Sequence, residues 1–153
     1  MSLLLPAIGI SQQEYNSNDI TQKENGLYTE KFYDEPITGK IYDYLDENQS
    51  FKKVYLGNLD NGKREGKWVF YFHSSGNKRY EYNYKEGLED GIQTEWYKNG
   101  QKRVEWSWKD GESTESGNSW YENGDIRAKG NIKKGKVIWN EDGSVKTDRS
   151  LSK

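Results

Sequence analysis

The stretch GIQTEWYKNGQKRVEWSWKDG, residues 91–111, decides the fold. Beyond its central glycine, Val104, Trp106 and Trp108 alternate with Arg103, Glu105 and Ser107. A period of two is that of a strand with one face covered and the other wet. Lys98-Asn99-Gly100 supplies the turn. A two-residue loop at Asn99-Gly100 would put Trp96 on the face of Arg103 and Glu105. A three-residue loop with the glycine in a left-handed conformation instead puts Ile92, Thr94 and Trp96 with Val104, Trp106 and Trp108. The second register gathers the large apolar groups on one side, so the segment is read as a β-hairpin with that face inward.

The hairpin is repeated along the chain. Gly76, Gly100 and Gly124 recur 24 residues apart, as do Arg79, Arg103 and Arg127, Trp96 and Trp120, and Gly87, Gly111 and Gly135. Four tracks held in phase are the mark of a repeat architecture. Glu122-Asn123-Gly124 offers Trp120 the same turn, and the longer His73-Ser74-Ser75-Gly76 loop is expected to keep Val69 and Tyr71 with Tyr80, Tyr82 and Tyr84. A degraded copy spans 38–62 and a shortened one 137–148, making about five units. One two-stranded hairpin is marginal in water, so the units must pair to bury their rows. Short charged links at 85–90 and 109–117 suit hairpin following hairpin. The expected fold is all-β: an elongated antiparallel meander of about five hairpins and roughly ten short strands, in one repeat domain over 26–153.

Composition agrees with a thin core. Of 153 residues 31% are hydrophobic, yet 6 are Trp and 12 are Tyr, which separates the chain from disordered sequences poor in aromatics. With 23 basic against 25 acidic residues and a net charge of −2, no dedicated nucleic-acid surface is expected. The absence of Cys excludes disulfides, thiolate metal sites and a lipidated cysteine. Residues 1–25 read as an N-terminal tail. Its opening run MSLLLPAIGIS is far shorter than the roughly 20 residues of a membrane span. It reads either as the end of a truncated export signal, which favours a periplasmic or cell-surface location over the cytoplasm, or as an ordinary terminal segment.

No catalytic constellation emerges, and no enzyme, cofactor or metal site is expected. His73 is the only histidine and falls in a turn, with no thiol to activate. Glu81, Glu95 and Glu105 recur singly on strands, so no pair of carboxylates stands out for glycosidase chemistry. Asp46 to Ser50 lacks the spaced ligands of a calcium loop, and GKREGK at 62–67 lacks the context of a phosphate cradle.

The remaining candidate is the face turned away from the Trp106 row. In the register above it carries Trp68, Phe70, Phe72, Tyr97 and Tyr121 beside Arg79, Arg103 and Arg127, with Arg103 opposite Glu95 and Arg127 near Tyr121. Such a face can be a solvated one with internal charge pairs, or a second core under the N-terminal region. Read functionally, it is a partner-binding strip, because aromatics and Arg are enriched in interface hot spots.

YKEGLEDGIQTEWYKNGQKR at 84–103 and SWYENGDIRAKG at 119–130 resemble the MORN-repeat variant family of bacteria, which includes the YwqK-type antitoxin-component proteins. The likeness covers about 38–148. It departs from the pattern at Gly111 to Gly117, which carries two extra residues, and at Asn48, where the turn glycine is missing. The resemblance implies an elongated hairpin array acting as a protein-protein interaction module, antitoxin-like or an envelope scaffold. Related MORN repeats also imply peripheral contact with phospholipid headgroups; the near-neutral charge argues for ranking that third. A weaker likeness to aromatic cell-wall-binding repeats makes carbohydrate or cell-wall binding through exposed aromatics the alternative. Sugar platforms are usually clustered, whereas these aromatics fall one per repeat, which suits a long protein partner.

Overall fold

A computed structural model describes residues 13–47 and 50–131. The export-remnant reading of residues 1–11, the missing turn glycine at Asn48 and the shortened last unit lie outside them. The described chain is all-β, with one 3-10 turn and no α-helix among the described residues. In chain order the strands are β1 (Glu14–Asn16), β2 (Ile20–Gln22), β3 (Tyr28–Glu30), β4 (Gly39–Glu47), β5 (Ser50–Asp60), β6 (Lys63–Tyr71), β7 (Lys78–Lys85), β8 (Leu88–Glu89), β9 (Gly91–Trp96), β10 (Lys102–Lys109), β11 (Glu112–Trp120) and β12 (Ile126–Asn131). Ten form one mixed sheet in the order β1-β4-β5-β6-β7-β9-β10-β11-β12, with β8 paired to β7 off that path. β1 runs parallel to β4, every other pairing in the sheet is antiparallel, and β2 and β3 make a separate hairpin. Residues 14–22, within the stretch read as a tail, thus form two short strands joined by the 3-10 turn at Ser17–Asp19.

Both ends of the hairpins are tight turns. At one end Asn61-Gly62, Glu86-Gly87 and Asp110-Gly111 all have positive φ, from 47° to 86°, which is the type I′ geometry that matches strand twist. The stretch 109–117, expected to be a link, is therefore largely β11. At the other end Phe72, Tyr97 and Tyr121 donate their amides to the carbonyls of Asn77, Gln101 and Asp125.

One feature changes the faces. Just beyond each of these longer turns the following strand carries an extra residue. Tyr71 pairs with Lys78 but Phe70 with Tyr80, Trp96 with Lys102 but Glu95 with Val104, and Trp120 with Ile126 but Ser119 with Ala128. The extra residues are Arg79, Arg103 and Arg127. Such a bulge shifts the register by one, and a shift of one exchanges the faces of a strand. The expected grouping of Ile92, Thr94 and Trp96 with Val104, Trp106 and Trp108 is therefore corrected. Val104 lies opposite Glu95, Trp106 opposite Gln93 and Trp108 opposite Gly91, while Thr94 lies opposite Glu105. Likewise Trp68 and Phe70, rather than Val69 and Tyr71, share a face with Tyr80 and Tyr82.

The core sits at the β4–β6 end. Ile37, Ile41, Leu45, Val54, Leu56, Leu59 and Trp68 are buried together, with Tyr15, Ile20, Tyr28, Phe70, Tyr82 and Tyr84 packed against them. Trp68 lies flat on Gly57, where an added Cβ would come within 2.4 Å of the indole, and donates its N–H to the Asn58 carbonyl at 3.1 Å. Arg64 stands between the rings of Tyr28, Trp68 and Tyr84 at 5.0 to 5.2 Å and donates to the Tyr84 hydroxyl. Burial, reinforced by Tyr80 and Glu95, pushes the Tyr82 phenol up to about 12.

Beyond β7 the character changes. β7 and β9 pair only at Tyr80 with Glu95 and Glu81 with Thr94. The fully buried Gln93 then replaces the backbone ladder: its side chain accepts from Asn83 N–H at 2.8 Å and donates to the Asn83 carbonyl at 3.0 Å.

Candidate interaction surface

The bulges that exchange the faces also build the candidate surface. In a bulge two residues share the space opposite one, so the extra side chain is thrown toward the preceding turn. Arg79 comes to 5.4 Å from the Phe72 ring, Arg103 to 6.0 Å from Tyr97 and Arg127 to 5.6 Å from Tyr121. Three successive turns thus carry the same guanidinium-aromatic pair, within the range at which a cation is drawn to a ring face. Arg103 also forms the ion pair with Glu95 that the sequence suggests, at 2.7 Å. Tyr121 is 43% exposed, Arg79 and Arg103 are exposed, and Phe72, Tyr97 and Arg127 are half-buried.

Two sequence candidates go elsewhere. Trp68, only 2% exposed, is a core residue, and Phe70 is half-buried beside it, with ring centroids 6.2 Å apart. The bulge at Arg79 turned both inward. The side of the strip is corrected too. Glu95 lies opposite Val104, so Arg103 and its partner stand on the Val104–Trp106 face rather than across the sheet from it.

The turns are tied to one another. Asn77 donates its amide to the Lys98 carbonyl at 2.9 Å, Asn99 to the Glu122 carbonyl at 2.8 Å, and the Tyr97 hydroxyl to the Trp120 carbonyl at 3.0 Å. On the same face as the strip, the indole N–H groups of Trp106 and Trp108 and the Ser119 hydroxyl are buried without a hydrogen-bond partner. Unmet buried donors are uncommon in finished structures.

The opposite face answers its own charges. Lys67 and Lys78 both reach Glu81, at 2.8 and 2.9 Å, and Lys102 reaches Glu105 at 2.6 Å. Lys78 also stands over Trp96 and Lys102 over Trp120, at 5.5 and 5.7 Å. Burial alone would raise the Glu81 carboxyl, but the two lysine hydrogen bonds outweigh it and hold the carboxyl below its ordinary value. Each Trp here is capped by a lysine from the neighbouring repeat, which leaves little ring face for a ligand.

Among the described residues no three His, Asp or Glu side chains gather as a metal site, and no helix is long and apolar enough to cross a membrane. His73 is exposed in the β6–β7 loop. The pairing of Arg with the preceding aromatic was visible as a common repeat phase, while the bulge behind it left no signal in residue type. Compared with known proteins, the chain matches no family model, no curated protein and no solved structure.

Proposed function

We propose that the chain is a non-catalytic repeat module, a MORN-like hairpin solenoid, that binds a protein partner along the strip of Phe72, Arg79, Tyr97, Arg103, Tyr121 and Arg127. The observation that carries this reading is the threefold repetition of the guanidinium-aromatic pair at 5.4, 6.0 and 5.6 Å. A merely structural pair has no need to recur at every turn on one border of one face. Arg and Tyr are also the residue types that dominate interface energetics. Unmet donors at Trp106, Trp108 and Ser119 on that face favour an occupant as well. The lysine caps on Trp96 and Trp120 weigh against the carbohydrate reading.

The test is capture of the partner on the immobilised chain, followed by calorimetry with wild type and with a Tyr97→Ala, Tyr121→Ala double variant whose β-type circular dichroism is retained. The double variant is expected to lose about 2 kcal/mol or more of binding free energy. Unchanged affinity would remove the strip from the interface. Binding of isolated glycans without any protein partner would replace this reading by the carbohydrate one. A scattering profile longer than that of a compact globule of equal mass is expected for the solenoid.

A further inference from the structure

We infer that the strip takes a proline-rich segment of its partner in the polyproline II conformation, laid across the strands with one proline per repeat unit. This rests on the strip being a protein-binding surface and specifies what it recognises.

The period carries the argument. Arg79, Arg103 and Arg127 lie on β7, β10 and β12, each two strands from the next in the sheet. Strands are spaced about 4.8 Å apart, so successive rungs stand about 9.6 Å apart. A polyproline II helix rises about 3.1 Å per residue with three residues per turn, which returns the same face every 9.3 Å or so. Residues i, i+3 and i+6 of such a segment meet three rungs in phase. Other conformations do not. An extended strand covers about 10 Å in three residues, but its side chains alternate, so every second rung would meet the wrong face. An α-helix needs about 6.4 residues for that distance, which is not a whole number of turns.

The chemistry agrees with the period. A polyproline II segment makes no internal hydrogen bonds, so its carbonyls are open acceptors. Each rung offers a guanidinium, a donor-only group held by the ring beside it, and that ring is a flat apolar surface for a pyrrolidine. The turn-to-turn hydrogen bonds from Asn77, Asn99 and Tyr97 fix the rung spacing before anything binds. A preformed ladder meeting a preformed helix loses little freedom on association.

The test titrates the full chain with peptides of one length and composition in which proline falls at every third position, at every fourth position, or in scrambled order. Binding is followed by the NMR signals of the arginine Nε–H groups and the aromatic rings. The period-three peptide is expected to bind at least tenfold tighter than the others. Its shifts should centre on Phe72, Arg79, Tyr97, Arg103, Tyr121 and Arg127. Arg103→Lys, which keeps the charge and removes the planar fork, is expected to weaken it about tenfold with no change in melting temperature. Equal affinity for all three peptides, or no saturable binding, overturns the inference. If the Tyr97→Ala, Tyr121→Ala variant then still loses the captured partner, the strip stands and only its polyproline specificity falls. If that variant keeps the partner, both fall.

Discussion

The β4–β6 part and the β9–β12 part of the sheet are made from the same hairpin and held by different forces. In the first, Ile41, Leu45, Val54, Leu56, Leu59 and Trp68 are buried under a second layer from Tyr15, Ile20, Tyr28 and Ile37. In the second, the buried side chains among the described residues are polar, namely Gln93, Thr94 and Ser119, and Trp96, Trp106, Trp108 and Trp120 are half-buried. The main contacts of β9 to β12 are with their neighbours in the sheet. A hairpin unit cannot cover its own apolar face. Where the N-terminal strands supply a cover, aliphatic burial stabilises the sheet. Where they do not, amide plugs, cation-ring contacts and cross-turn hydrogen bonds hold it laterally. Stability should therefore fall along the sheet from β4 to β12.

The sharpest way to break this contrast is Trp68→Ala. It empties the junction between the two parts and removes the bond to Asn58, and is expected to cost about 3 to 5 kcal/mol in urea unfolding. Trp106→Ala, on a half-buried ring, should cost about 1 to 2 kcal/mol. Equal costs would mean that the β9–β12 part has a core of its own. Gln93→Leu tests the amide plug. It keeps the volume but strands the Asn83 N–H and carbonyl, and should cost about 1 to 3 kcal/mol while hydrogen exchange at Asn83 accelerates. No change in exchange would show that the side chain does not replace the ladder.

Phe32→Gly acts in the opposite direction. Phe32 is 99% exposed at φ 69°, the third position of a turn closed by the Tyr33 amide on the Glu30 carbonyl. A left-handed conformation suits glycine, so the variant should gain about 1 kcal/mol in thermal melts. A loss would show that the ring contributes to the fold. The smallest effect is pH dependence in the β6–β7 hairpin. Glu81 has its carboxyl lowered, so the stability it contributes is complete above the ordinary carboxylate range and is lost as pH falls through that range and the lowered folded value. Melts from neutral to acid pH should show this slope in wild type and less of it in Glu81→Gln.

Much of this architecture was legible in residue type. Alternation at Tyr80, Tyr82 and Tyr84 and at Val104, Trp106 and Trp108 marked strands, and the phase of Gly76, Gly100 and Gly124 marked turns. The guanidinium-aromatic pairs followed from that phase, and the Arg103 ion pair with Glu95 from cross-strand proximity. The faces were misassigned because alternation reports which residues of one strand agree. It does not report how two strands are offset, and one inserted residue reverses that relation at no cost in composition. The placement of Trp68 in the core follows from the same insertion. β1 and β2 went unseen because three-residue strands carry too little pattern.

By itself, then, the sequence determined the class, the turn positions, the repeat length and the absence of thiol chemistry, since each depends on local conformational preference or residue identity. Only the tertiary structure decided which side of each hairpin is inward, which half of the sheet is covered, and that the arginines stand over the preceding aromatics on the Trp106 face. Those are properties of offset between strands, set by bulges at Arg79, Arg103 and Arg127 and by an N-terminal segment folding back onto β4. A bulge is a balance between backbone pairing and side-chain burial summed over several strands, and no local window of residues contains that sum.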